Sequence, residues 1–212
     1  MTKSYEFSLD SWQVPFFFKP LRKKEDVLIV LLEAVKTMLI YEAPSDKDKC
    51  EGKFYLKISK MSRLIFEGET KIFSINFPFK VLEDQDGLRF VTQNNVEIDN
   101  FLTSEVLAFV SQDSLMDSED FLDFASPIID GATDEKEFWN LIKDLFFYED
   151  GYLRFDHDEE HIDGHHHPLD HFDFFYSNGA TLKIGVERRY SVDKVIDVLD
   201  VTTPCHYLRS VV

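Results

Sequence analysis

The spacing of apolar residues changes three times along the chain. From Lys24 to about Tyr41, the residues Val27, Leu28, Val30, Leu31, Ala34, Val35, Met38 and Leu39 recur at helical spacing with Glu33 and Lys36 between them. That pattern predicts one long, mostly buried helix. The stretch from Ala43 to Gly52 is turn-rich and charged, and predicts a surface loop. Strand-like runs follow at 53–59, 63–67, 71–81 and 88–92; in the third, Phe73, Ile75, Phe77 and Phe79 alternate with Ile72, Ser74 and Asn76. Asp86-Gly87 predicts a tight hairpin turn because glycine tolerates positive φ, and Pro78 predicts an edge or a bulge. From about Ile98 to Phe147 the helical period returns, with starts expected at Asp99, Asp117 and Thr133. The final third reads as strands at 151–157, 170–176 and 180–186, the last two joined by Ser177-Asn178-Gly179, and then a short helix opened by Ser191.

These elements predict an α+β fold: an N-terminal helix, antiparallel sheet segments, central acidic helices and a C-terminal antiparallel hairpin sheet. No stretch marks a linker, so a single domain over 1–212 is expected. It comprises helix plus strands in 1–98, an acidic helical segment in 99–150, and a His-bearing sheet and helix in 151–212.

Strand alternation sorts the C-terminal residues into two faces. Leu153 and Phe155 share one face of the first strand, and Arg154 and Asp156 the other. In the second strand Phe172 and Phe174 oppose His171 and Asp173; in the third, Leu182 and Ile184 oppose Lys183. If the strands are neighbours and their apolar sets align on the core, Arg154, Asp156, His171, Asp173 and Lys183 gather on the opposite face. A carboxylate beside a histidine fixes its tautomer, and a nearby cation can hold an anionic group, which makes Arg154, Asp156, His171 and Asp173 the candidate catalytic residues. An ordinary solvent-facing sheet stabilised by cross-strand charge pairs would show the same pattern.

Six of the seven histidines, His157, His161, His165, His166, His167 and His171, lie between Arg154 and Phe174. Imidazole and carboxylate are ligands of zinc, manganese and nickel, so a divalent metal is the expected cofactor, with His167, Asp170 and His171 as candidate ligands. Gly164 and Pro168 interrupt the i, i+4 histidine pairs and exclude a helical HExxH-like site. An EF-hand loop beginning at Asp156 fails because His161 and His167 stand where glycine and glutamate are needed. The alternative for His165-His166-His167 is an exposed polar loop with no role. There is no GxSxG elbow, no phosphate-binding GxxxxGK[ST] loop and no GxGxxG.

Composition narrows the function classes. The 21 phenylalanines and 44% apolar content supply a substantial core. Cys50 and Cys205 lie far apart with no CxxC, which predicts neither a disulfide framework nor a cysteine zinc site and suggests a reducing compartment. The start of the chain lacks the order of a secretory signal, and the longest apolar run, Val27 to Leu32, falls well short of the ~20 residues that span a bilayer, so a cytoplasmic protein without membrane partners is expected. The net charge of −17 is uneven: residues 81–150 carry 3 basic and 18 acidic side chains. Broad nucleic-acid binding through that segment is disfavoured, whereas a basic protein partner or a cation is favoured.

The segment from Tyr152 to about Leu199, with Arg154-Phe155-Asp156, His167-Pro168-Leu169-Asp170-His171 and the run to Val186, resembles a bacterial domain family of unknown function. That family has an R[FY]D strand, a variable loop, HPxxH and two further strands. The resemblance implies a bacterial source in a defence or mobile-element context. It singles out Arg154, Asp156, His167 and His171, and implies no activity. Two functions are expected on these grounds: metal-assisted or His-based phosphodiester chemistry at the Arg/Asp/His site, or a non-catalytic acidic binding protein, immunity- or antitoxin-like, for a basic partner.

Overall fold

The computed structural model describes residues 3–43, 50–85, 87–111, 135–177 and 180–207. Among them are five helices and ten strands in antiparallel sheets, an α+β fold as expected. The expected helix starts at Asp117 and Thr133 lie outside the described residues. No helix of the described residues is long and apolar enough to cross a membrane.

The contacts gather into two compact units, neither contiguous in sequence: residues 1–18, 44–76 and 151–212 form a sheet unit, and 19–43 with 77–150 form a helical unit. This division does not follow the three consecutive segments expected from the sequence. The N-terminal helix joins the acidic helices, and the His-bearing strands join the strands before residue 77. The acidic excess follows the division, with 9 basic against 22 acidic side chains in the helical unit and 14 against 18 in the sheet unit.

In the helical unit, α2 (Lys24–Leu39) buries nine residues along its length and packs against α3 (Asn100–Val110) and strand β6 (Gly87–Val91). Backbone N–H groups of Arg22 and Lys23 donate to the Asp26 carboxylate at 2.9 and 3.2 Å, occupying donors that the helix start leaves free. Asp99 caps α3 as expected, accepting from the Leu102 N–H at 2.8 Å. Strand β6 lies between β5 (Lys80–Asp84) and β7 (Glu97–Ile98). Lys24 Nζ donates to the carbonyls of Phe146 and Tyr148 at the end of α4 (Glu135–Phe146). The run expected at 71–81 divides, because Pro78 cannot donate to a ladder: β4 ends at Asn76 and β5 begins at Lys80 in the other unit.

The sheet unit is one seven-stranded antiparallel sheet in the order β1 (Lys3–Asp10), β2 (Cys50–Ile58), β3 (Ser62–Glu67), β4 (Lys71–Asn76), β8 (Tyr152–His157), β9 (Asp170–Ser177) and β10 (Ala180–Gly185). The expected C-terminal hairpin sheet is therefore the far end of a larger sheet. Strand β1 was not among the expected elements, although Tyr5, Phe7 and Leu9 alternate with Glu6, Ser8 and Asp10 and the inward Phe7 and Leu9 are buried.

Both faces of the sheet are apolar in part. On one, Ile65, Ile72, Leu153, Phe155 and Phe172 are covered by α5 (Val192–Leu199), which buries Val195 and starts at the expected Ser191 cap. On the other, register places Phe7, Phe54, Phe66 and Phe73 side by side across four strands. Their rings stack at centroid distances of 4.8, 5.5 and 4.6 Å, and Phe17 of α1 (Val14–Phe17) leans on Phe54 and Phe66. Offset-stacked rings add to the burial each phenyl provides. Replacing Phe66 with alanine empties the middle of this row and is expected to cost ~3–5 kcal/mol by urea denaturation. Leu182→Ala, on an exposed site of β10, is expected to stay within ~0.5 kcal/mol.

Candidate functional site

The row of phenylalanines continues across the next three strands as Arg154, Asp173 and Lys183, because Phe73 pairs with Arg154, Arg154 with Asp173, and Asp173 with Lys183. One step along the strands, Lys71, Asp156, His171 and Gly185 form the parallel row on the same face. The four residues expected to share a face, Arg154, Asp156, His171 and Asp173, are thus brought together, with Phe172 turned to the α5 side. The face is not the open solvent surface that alternation suggested. His171 is completely buried and Asp156 nearly so.

The histidine loop provides that cover. Residues 158–169 leave the sheet between β8 and β9 and close on themselves: the Asp158 N–H donates to the Leu169 carbonyl, and Asp163 bridges His167. Pro168 then lies over Gly185, where a Cβ would come within 2.9 Å of its ring. Glycine is required there by close approach. Within the loop His161 bonds the Asp158 carboxylate, and His165 and His166 are exposed, consistent with a polar loop at those two positions.

The Pro168 carbonyl is 2.8 Å from His171 Nδ1. A carbonyl can only accept, so Nδ1 carries the proton and the other ring nitrogen points away from the loop. That nitrogen, Nε2, is buried without a hydrogen-bond partner. It faces Oδ2 of Asp156 at 3.6 Å and Oδ2 of Asp173 at 3.8 Å. Both oxygens are held by one guanidinium: Arg154 Nε donates to Asp156 at 2.6 Å and Nη2 to Asp173 at 2.5 Å. Burial works against the Arg154 charge, but the two carboxylates, Asp156 foremost, outweigh it and hold its pKa above the ordinary arginine value. Lys183 Nζ lies 3.6 Å from the second oxygen of Asp173.

Two carboxylate oxygens and one imidazole nitrogen, from Asp156, Asp173 and His171, therefore lie within 4.8 Å of one another. Donors ~2.1 Å from a shared ion at a tetrahedral angle are ~3.4 Å apart, close to the two N···O separations here.

The other expected ligands are not part of this group. Asp170 pairs with His157 across β8 and β9, on the α5 side of the sheet, and their side chains bond at 2.8 Å. The set His167, Asp170 and His171 is thus divided between two faces. Neighbouring residues on a strand point oppositely, so Asp170 and His171 do not face one ion. His167 packs edge-on against the His171 ring at 4.7 Å, with its Nδ1 buried and unpaired, and its Nε2 is 3.9 Å from Asp158.

Lys71 was not legible as a site residue, because it joins the cluster only through the pairing of β4 with β8. No protein-family model, curated protein or solved structure matches the chain.

Arg154 donates to both carboxylates, and its removal leaves Asp156 buried without its hydrogen-bonded cation. Because the guanidinium is about a quarter exposed, Arg154→Met is expected to cost ~1–3 kcal/mol, below the figure for a fully buried pair. Adding Asp156→Asn to it should restore part of that loss, a coupling read from a double-mutant cycle in urea.

Proposed function

We propose that Asp156, His171 and Asp173 hold a divalent transition metal, and that with Arg154 they carry out metal-assisted phosphodiester hydrolysis. The observation that carries this reading is His171 Nε2, a buried nitrogen with no partner, aimed at two carboxylates. A lone pair facing two anions is unfavourable unless positive charge lies between them. Arg154 bonds the oxygens and not the nitrogen, so it leaves that requirement open.

The donor chemistry fits. A mixed set of one imidazole and two carboxylates suits zinc or manganese, with nickel as a further occupant of imidazole sites. The Nδ1–H bond to a backbone carbonyl is the support that orients a ligating histidine. Three protein donors leave coordination positions open, as in catalytic rather than structural sites. Direct His-based chemistry is the weaker form of the idea, because the His171 ring itself has no exposed surface.

The charge of the site favours an anionic substrate. Arg154, Lys71 and Lys183 stand around Asp156 and Asp173, three basic groups to two acidic ones, in a chain whose net charge is −17. A bound metal would supply Lewis acidity and an activated water. In the reaction, the oxygen of water bonds to phosphorus, the ester P–O bond breaks, and the leaving oxygen takes up a proton. Arg154 keeps the carboxylates in place and offers its remaining N–H groups to a phosphate oxygen.

Untagged protein washed with chelator and reloaded with Mn²⁺ or Zn²⁺ is expected to retain about one ion per chain by elemental analysis. It should also hydrolyse bis(p-nitrophenyl) phosphate. His171→Ala should lower metal affinity by at least ~10–100-fold, while the His165→Ala, His166→Ala double variant should retain both properties. Protein that keeps no ion after reloading sinks the proposal.

The helical unit supports a second, separable reading as an acidic surface for a basic protein, on the strength of its 9 basic against 22 acidic side chains. Binding to a cationic partner protein should then weaken steeply between low and high salt in a titration, and an affinity insensitive to salt would count against it.

A further inference from the structure

Lys71 is the one member of the charged face whose ammonium group has no hydrogen bond and no ion pair among the described residues. Its strand partner Asp156 gives its carboxylate to Arg154 instead. Burial, with Arg154 close by, pulls the Lys71 pKa below its usual value, and Asp156 and Asp158 act in the opposite sense. A half-buried ammonium with neither a hydrogen bond nor an ion pair is an unfavourable arrangement for stability alone.

Lys71 also lines a cleft. The space, of about 540 Å³, is bounded by Val14, Phe18, Glu51, Gly68, Glu69, Thr70 and Lys71. Its apolar wall is Val14 and Phe18. The Phe18 ring lies edge-on to Phe73 at 5.7 Å, and Phe73 is the strand neighbour of Arg154. The cleft's Phe18 and Lys71 and the carboxylate cluster are therefore on the same sheet face, and the strand that carries Lys71 is next to the strand that carries Asp156, a backbone spacing of ~4.8 Å. Its volume is in the range of small-molecule sites and far too small for a duplex. Glu51 and Glu69 on the rim accept hydrogen bonds and repel further phosphates, which disfavours a polyanion and suits a ligand with one phosphate and a donor-bearing ring.

The geometry points to this cleft as the site for the organic part of a small phosphodiester of mononucleotide size, whose monoester product is adenosine monophosphate-like, with Lys71 as the group that takes its phosphate. The inference rests on the reading of the cluster as a phosphodiester site and adds the class of substrate; Lys71 is the anchor that would hold the ester against Arg154.

Calorimetric titration of the full chain with adenosine monophosphate and with inorganic phosphate tests it, in chelator and after reloading with Mn²⁺. Adenosine monophosphate is expected to bind more tightly than phosphate. Lys71→Met should weaken it by ~10–100-fold, the range for a hydrogen bond to a charged group, and Lys71→Arg should recover most of the affinity. The melting temperature of Lys71→Met should not fall, because no hydrogen bond or ion pair is lost and the cost of burying the charge outweighs the pull of Asp156 and Asp158. Thr70→Glu, on the exposed rim, adds repulsion without touching the core and should weaken binding as well. Unchanged affinity in both Lys71→Met and Thr70→Glu, or adenosine monophosphate binding no better than phosphate, overturns the inference. Lys71-dependent binding in a protein that retains no metal would instead overturn the metal reading and leave the cleft standing.

Discussion

The pairing of β4 with β8 is the constraint on which the sheet unit depends. It joins strands that are adjacent in space but separated by residues 77–151, and it sets Phe73 beside Arg154 and Lys71 beside Asp156. Side chains alternate with a period of two, so a one-residue slip would turn every side chain of β8 to the other face. Asp156 would then be driven among Ile72 and Phe172, and Phe155 would be turned out of its packing beneath α5. The apolar residues of both faces thus enforce the register that assembles the charged group.

A single face of the sheet is therefore divided between two kinds of interaction. Toward β1 it is held by stacked phenyl rings, which are tolerant of small shifts because their attraction is spread over many atoms. Toward β10 it is held by directional bonds between one guanidinium and two carboxylates, which fix positions closely. The boundary falls between Phe73 and Arg154. A rigid apolar platform beside a preorganised polar group is a favourable place for chemistry, since the polar side chains are oriented by their own contacts before any ligand arrives.

Much of this was legible in the sequence, and the limits have a physical cause. Alternation is local, so the faces of Arg154 with Asp156 and of His171 with Asp173 could be assigned from the sequence, as could the Asp99 and Ser191 caps. Which strands become neighbours is a non-local property. The joining of β4 to β8, the membership of Lys71, and the extension of the C-terminal strands into a seven-stranded sheet were accordingly hidden. Burial was hidden too, because the cover over His171 comes from a loop whose composition suggested either metal ligands or an exposed polar loop, and neither implies a lid on the sheet. The placement of Asp170 on the opposite face, beside His157, follows in contrast from the same alternation, which ligand chemistry alone does not carry.

The interrupted order of the sheet has a consequence for synthesis of the chain. Strands β1 to β4 emerge first and can pair with one another, but β4 then waits for β8 while roughly 75 residues of the helical unit are added. At ~5–20 residues per second that interval is ~4–15 s. During it the nascent sheet presents an unpaired inner strand and an uncovered apolar face on the side that α5 later closes, since α5 follows every strand of the sheet. The growing protein therefore passes through a prolonged stage in which a strand destined for the centre of the sheet is its edge, and in which a chaperone or a second nascent chain could reach it before its own partner does.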